Sequence, residues 1–177
     1  MQLEMTRALR RVAHALAATT VWATCGAHAA GTIVPEIGFA YIFHEGQPND
    51  GGPKLGLGYF LDNGLGARAL WLGGFGEAVA QDMFNGVPER EFRSFFGAQV
   101  VDRIQFHEQW SAMIGAGIGS SRFDVPSDST EADAQTEGIA TVGLQWKPAT
   151  HYATSLEYSY LTRSGVGALS LLVQIPF

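Results

Sequence analysis

Downstream of position 35, apolar and polar side chains alternate at every second residue, in segments of about ten residues divided by turn-forming positions. In the last segment Leu169, Leu171, Val173, Ile175 and Phe177 share one side; Ala168, Ser170, Leu172, Gln174 and Pro176 share the other. Leu156, Tyr158 and Tyr160 oppose Ser155, Glu157 and Ser159, and Ala140, Val142, Leu144 and Trp146 oppose Thr141, Gly143 and Gln145. Trp110, Ala112, Ile114, Ala116 and Ile118 oppose Ser111, Met113, Gly115, Gly117 and Gly119. A period of two marks extended strands, whose successive side chains point to opposite faces. The pattern predicts eight of them, roughly Glu36–His44, Lys54–Asp62, Gly66–Phe75, Glu91–Val101, Gln109–Phe123, Thr136–Trp146, Tyr152–Thr162 and Gly167–Phe177. Glycine recurs inside the apolar runs, where it would weaken a helix.

The character of the second face selects among β architectures. It consists mostly of Gly, Ser, Thr and Gln with few charges. A soluble sandwich also alternates, but its outward face is charged while its apolar faces meet in a core. An apolar outside and a small, polar inside define instead an eight-stranded antiparallel up-and-down transmembrane β-barrel. Trp71, Trp110, Trp146, Tyr152 and Tyr160 fall near strand ends, as an interfacial aromatic girdle requires. The third and fourth strands are less regular. Placing Arg68 and Arg93 inward also turns Leu70, Leu72 and Phe95 inward, which a side-chain-filled small barrel accommodates.

Connection lengths alternate too. Asp62-Asn63-Gly64, Val101–His107 and Lys147–Thr150 are short and follow even strands, with Asp-Asn-Gly a tight-turn signal. Glu45–Pro53, Gly76–Arg90 and Asp124–Gln135 are longer and follow odd strands, and a short Arg163–Val166 completes the set. Short periplasmic turns and longer outer loops are the rule in such barrels, which places both termini on the periplasmic side.

The first residues read as a targeting segment. Arg7, Arg10 and Arg11 precede an apolar run from Val12 to Ala23, and Ala27-His28-Ala29 supplies small residues at the exit. This is the form of a cleavable signal peptide over 1–29, leaving 30–177 as the barrel domain. The surroundings of Arg10-Arg11 do not fit a twin-arginine signal, nor those of Cys25 a lipoprotein signal. Cys25 is the sole cysteine and leaves with the segment, so the mature domain has no disulfide and no thiolate chemistry. The segment carries three of the 11 basic residues and one of the 17 acidic ones, so a net charge of −6 becomes more negative on cleavage. That excludes the basic face of a nucleic-acid binder and a simple electrostatic hold on anionic lipid.

The stretch Gly143-Leu-Gln-Trp-Lys-Pro-Ala-Thr-His-Tyr-Ala-Thr-Ser-Leu-Glu-Tyr-Ser-Tyr160 resembles the penultimate hairpin of the OmpA-like eight-stranded outer-membrane barrels, and the resemblance in layout spans the mature chain. Its terminal Val173-Gln-Ile-Pro-Phe177 resembles the C-terminal signal of that family, with Phe177 in the position read by the barrel-assembly machinery. Pro176 departs from the pattern, because proline cannot donate to a ladder. The resemblance implies an outer-membrane location among lipid and lipopolysaccharide, with outer loops available to a surface ligand. It does not extend to a wall-binding domain.

Candidate chemistry follows from the inner face. Glu36, Arg68, Arg93 and Glu157 form a predicted lumen network of two acids and two bases, since buried charges must pair. A closed lumen and a small-solute channel are the two outcomes of such a network. A third possibility is a lipid A or phospholipid hydrolase, whose nucleophile and histidine base would stand at the outer end. There His44 lies beside Glu45, with Ser120 and Ser121 on a strand that is not adjacent. His107 and His151 fall at the opposite end. The glycines at 115, 117 and 119 lack the following helix that a phosphate loop needs. The loop from Asp124 to Asp133 carries four acids and no base, which reads as a solvated loop rather than a cation site. No catalytic residue, cofactor site or metal site is predicted.

Overall fold

A computed structural model describes residues 31–44, 49–74, 91–124 and 133–177. The expected signal peptide, the whole of the Gly76–Arg90 loop and parts of the other two longer loops lie outside these residues. The chain forms strands β1 (Gly31–Phe43), β2 (Asp50–Leu61), β3 (Leu65–Gly73), β4 (Glu91–His107), β5 (Trp110–Asp124), β6 (Asp133–Ala149), β7 (Tyr152–Leu161) and β8 (Gly167–Gln174). Each pairs antiparallel with the next, and β8 pairs with β1, so the sheet closes into a barrel. Closure removes the free edges an open sheet would expose.

The register is staggered around the ring. Stepping from Thr32 through directly opposed residues gives Phe60, Gly66, Val101, Gly115, Thr141, Ser159 and Ala168, and the path returns to β1 at Ile42, ten residues from its start. That shear tilts the strands, and with eight of them it sets an interior just wide enough to be filled by side chains. Turn chemistry fixes the register locally. Gly64 has φ of 92° and donates to Leu61 O at 2.9 Å, while Asn63 Oδ1 accepts from Leu65 N at 3.1 Å. A left-handed residue closing so tight a turn favours glycine.

The two faces separate as the alternation predicts. Ile37, Phe39, Leu57, Ile118, Leu156 and Leu171 are exposed on the outside, each more than half accessible. Inside, Ala40, Ile42, Leu70, Leu72, Phe92, Phe95, Phe123, Ile139 and Leu161 belong to one buried apolar cluster near the end where the longer loops begin. Toward the other end, Val34, Phe60 and Val101 make a smaller one. The start of β1, the residues after β8 and the short turns occupy that second end, here named the terminal end.

Three expectations need correction. Arg93 is not inward: it is exposed. The register shifts between Phe92 and Ser94, so Arg93 is the extra residue of a β-bulge. The bulge lets both Phe92 and Phe95 turn inward, and strict alternation through Phe95 therefore misassigned Arg93. In addition, Val101–His107 is not a turn. It continues β4, with Asp102 opposite Ile114 and Arg103 opposite Met113, and the reversal falls at Glu108-Gln109. Likewise β6 runs to Ala149 through a register shift, and the turn is Thr150-His151.

Pro176 finds its place here. Beyond β8, Ile175 N donates to Pro35 O at 3.1 Å and Phe177 N to Ile33 O at 2.9 Å. The amide between them would point away from β1, and pairing with β7 ends at Gln174. A proline at 176 therefore deprives the ladder of nothing.

Candidate functional site

The inner faces converge on a belt of polar side chains between the two apolar clusters. Glu36 comes from β1, Lys54 from β2, Arg68 from β3, Gln99 from β4, Thr141 and Gln145 from β6, Ser155, Glu157 and Ser159 from β7, and Ser170 and Gln174 from β8. All are buried. β5 passes alongside as Gly115, Gly117 and Gly119, leaving room for side chains that reach across. Gly56 does the same for Glu36, because a Cβ there would fall 2.6 Å from Glu36 Oε2.

Glu157 is the hub. Its carboxylate accepts from Lys54 Nζ at 2.9 Å, from Arg68 Nη1 at 2.9 and 3.0 Å, and from Ser155 Oγ at 3.0 Å. Arg68 Nη1 also donates to Glu36 Oε2 at 3.0 Å, and its Nη2 to Gln99 Oε1 at 2.8 Å. Gln99 passes the chain to Thr141 Oγ1 at 2.8 Å, and Thr141 meets Ser159 at 3.0 Å. Lys54 Nζ adds Ser159 at 3.3 Å and Ser170 at 3.4 Å. Below, Gln174 Nε2 donates to Glu36 Oε1 at 2.8 Å and accepts from Gln145. Two carboxylates and two cations are thus tied to each other and to neutral donors and acceptors, the condition under which buried charge is tolerable.

Three of the four residues expected in the lumen, Glu36, Arg68 and Glu157, meet directly; Arg93 is outside. Lys54 and Arg103 escaped the sequence reading. Lys54 follows Pro53 at what looked like a strand start, and Arg103 lay in a supposed turn. Carrying the alternation to the first residue of its expected strand turns Lys54 inward, and carrying it two residues past Val101 does the same for Arg103.

Arg103 is held differently from the other cations. Its Nη2 is 3.7 Å from Glu36 Oε1, and its guanidinium carbon sits 3.3 Å from the centroid of the Phe60 ring. It borders a cavity of about 680 Å³ at the terminal end, with Gln145 and Gln174 on the inner wall and Asp62, Glu108 and Lys147 among its lining residues.

At the opposite end, His44 Nε2 lies 2.7 Å from Ser164 O, while Glu137 Oε2 accepts from Ser164 N at 3.0 Å and from Ser164 Oγ at 2.7 Å. His44 and Glu137 therefore pin the β7–β8 turn. Ser120 is exposed on the outer face of β5, so His44 and Ser120 do not form a grouping. Among the aromatic residues, Trp110 and Trp146 are opposed and stacked with ring centroids 6.1 Å apart near the terminal end. Tyr152 begins β7, Tyr160 is its penultimate residue, and Trp71 stands two residues from the end of β3. No group of three or more metal-ligating side chains occurs among the described residues.

This architecture is that of the eight-stranded antiparallel barrels solved from bacterial outer membranes. The chain is similar to Ail, the attachment invasion locus protein of Yersinia pestis, solved with the heparin analogue sucrose octasulfate, at 19% identity and a TM-score of 0.53 over 83% of this chain and 99% of that one. It is also similar to Neisserial surface protein A, at 15% identity and TM-score 0.55 over 83% and 97% of the two chains. The N-terminal β-barrel domain of Pseudomonas aeruginosa OprF gives 15% identity and TM-score 0.57 over the same shares. At these identities the likeness defines the fold. No protein-family model matches the sequence, and no curated protein does.

Proposed function

We propose that the protein is an integral outer-membrane barrel with a structural or surface-interaction role and a lumen closed by its own side chains. The observation that carries this reading is the inversion of an ordinary soluble protein. Apolar residues cover the outside wall, while Glu36, Lys54, Arg68 and Glu157 are almost fully enclosed. In lipid only closed barrels and helices satisfy their backbone groups, and this barrel does so. The terminal end faces the periplasm in this reading. Trp110, Trp146 and Tyr152 anchor that interface, Trp71 and Tyr160 the outer one. Phe177 acts as the aromatic read by the assembly machinery, and the segment 1–29 directs export.

Closure has two layers, the polar belt and the apolar cluster of Phe92, Phe95 and Phe123 above it. The experiment is fractionation with heat-dependent gel migration, followed by planar-bilayer recording. Outer-membrane recovery, a folded form that migrates apart from the boiled one, and absence of steady current are expected. Recovery as a soluble protein overturns the location; steady single-channel current replaces closure with the channel alternative.

The surface role rests on the loops. Ail was solved with a polyanionic sugar analogue. Here the Asp124–Asp133 segment carries four acids and no base, which disfavours a polyanion and suits a basic partner. Binding of the purified protein in detergent micelles to immobilised polylysine but not to heparin is the expected result, and Asp128→Asn with Glu131→Gln should weaken it.

A further inference from the structure

The lumen holds its cations in two ways. Lys54 Nζ and both Nη groups of Arg68 are held by carboxylates, hydroxyls and an amide, which leaves Arg68 Nε alone without a partner, and Glu36 and Glu157 balance their charge. Arg103 is a third positive charge beside that balanced set. Its 3.7 Å approach to Glu36 is longer than a hydrogen bond, and its Nε and Nη2 are enclosed without a hydrogen-bond partner. Enclosed donors left unpaired call for an explanation, since most such groups are satisfied. The guanidinium lies on the Phe60 face, which supports its plane while leaving its edges to a ligand.

The surroundings say which ligand. Arg103 borders the terminal-end cavity of about 680 Å³, whose wall beyond it offers the amides of Gln109 and Gln145. Asp62 and Glu108 also line the cavity and equal Arg103 and Lys147 in number, so the lining has no net positive charge for a multiply charged anion. We propose that this vestibule binds a small organic monocarboxylate, with Arg103 as the anchor and the glutamines as partners for the ligand's amide or hydroxyl groups. Rotation of the guanidinium on the Phe60 face presents Nε and Nη2 to the carboxylate as a two-point fork. Arg103 is thereby drawn from Glu36, which keeps Arg68 and Gln174 as donors.

The test uses the purified, isotopically labelled protein in detergent micelles. It is titrated with N-acetylglycine and with its uncharged counterpart N-acetylglycinamide, and the amide shifts of Asn63, Gln109 and Thr150 are followed. Saturable shifts are expected with the carboxylate, at an affinity at least about tenfold above that of the neutral probe. Equal affinities for the two probes, or no saturable shift with the carboxylate, overturn the proposal on the wild-type protein alone. Arg103→Met should weaken the carboxylate at least about tenfold, with Arg103→Lys intermediate because it keeps charge but not the planar fork. Wild-type affinity in folded Arg103→Met also overturns it.

Discussion

The two halves of the lumen solve one packing problem with opposite chemistry. Toward the loops, Phe92, Phe95 and Phe123 fill the barrel with rings, and Phe92 and Phe123 meet edge-on at 5.7 Å. Toward the termini, the same cross-section is filled by Glu36, Lys54, Arg68, Gln99 and Glu157. The apolar half gains from each contact separately and tolerates loss of one as a dry void. The polar half is a linked set in which each group answers for another's desolvation. Removal of one member should therefore propagate in the polar half and stay local in the apolar half.

The largest effect is expected at the hub. Glu157→Leu leaves Lys54 with two serine hydroxyls and strips Arg68 of one of its two carboxylates. A loss of about 4 kcal/mol in denaturant-unfolding stability is expected, as when one partner of a buried ion pair is removed. Water should follow the uncompensated charges, so steady current in planar bilayers is expected of the variant and none of the wild type. Phe95→Ala, from a fully enclosed position, should cost about 3 kcal/mol by cavity formation and leave the bilayer silent. If Phe95→Ala conducts and Glu157→Leu does not, the assignment of closure to the polar belt is reversed.

Lys54→Met sharpens the contrast within the polar half. It removes one cation but leaves Glu157 with Arg68 Nη1 and Ser155, so the carboxylate remains paired. A cost of about 1 kcal/mol is expected, because the lost ion pair is partly offset by no longer burying an ammonium. A cost equal to that of Glu157→Leu would show that Lys54, and not Glu157, is the hub.

These residues also show how much was readable from sequence. The strand count, the closed antiparallel order and the inward set of β1, β2 and β5 to β8 follow from period-two alternation, because each strand separates an apolar outside from a small, polar inside. Glu36, Arg68 and Glu157 were readable because each is a charge on the inward parity of its expected strand, Glu36 from that strand's first position. Lys54 opens its expected strand on the same inward parity as Gly56 and Gly58 and was passed over beside Pro53, whereas Arg103 lay in a supposed turn beyond the expected end of its strand. The partners Gln99 and Thr141 have no distinguishing pattern of their own. Register across the ring brings them together, and register depends on shear, which a single strand does not display.

Arg93 marks a place where alternation misleads. Both Phe92 and Phe95 are buried, an odd spacing that no regular strand allows, and the extra residue between them leaves the ladder. Arg93 consequently stands exposed on the outer wall near the loop end of β4, where its carbonyl still accepts from Gly74 N at 2.8 Å. That backbone bond survives truncation of the side chain. Arg93→Ala should therefore cost about 1 kcal/mol or less, the scale of an exposed charge contact. It should also leave the bilayer silent, unlike Glu157→Leu. Deletion of residue 93 is the sharper form of the test. It restores strict alternation and brings Phe92 and Phe95 to a spacing of two, so both rings stay in the apolar cluster and the cost should stay close to that of the alanine variant. A cost approaching that of Phe95→Ala would mean that the bulge itself sets the packing of these two rings.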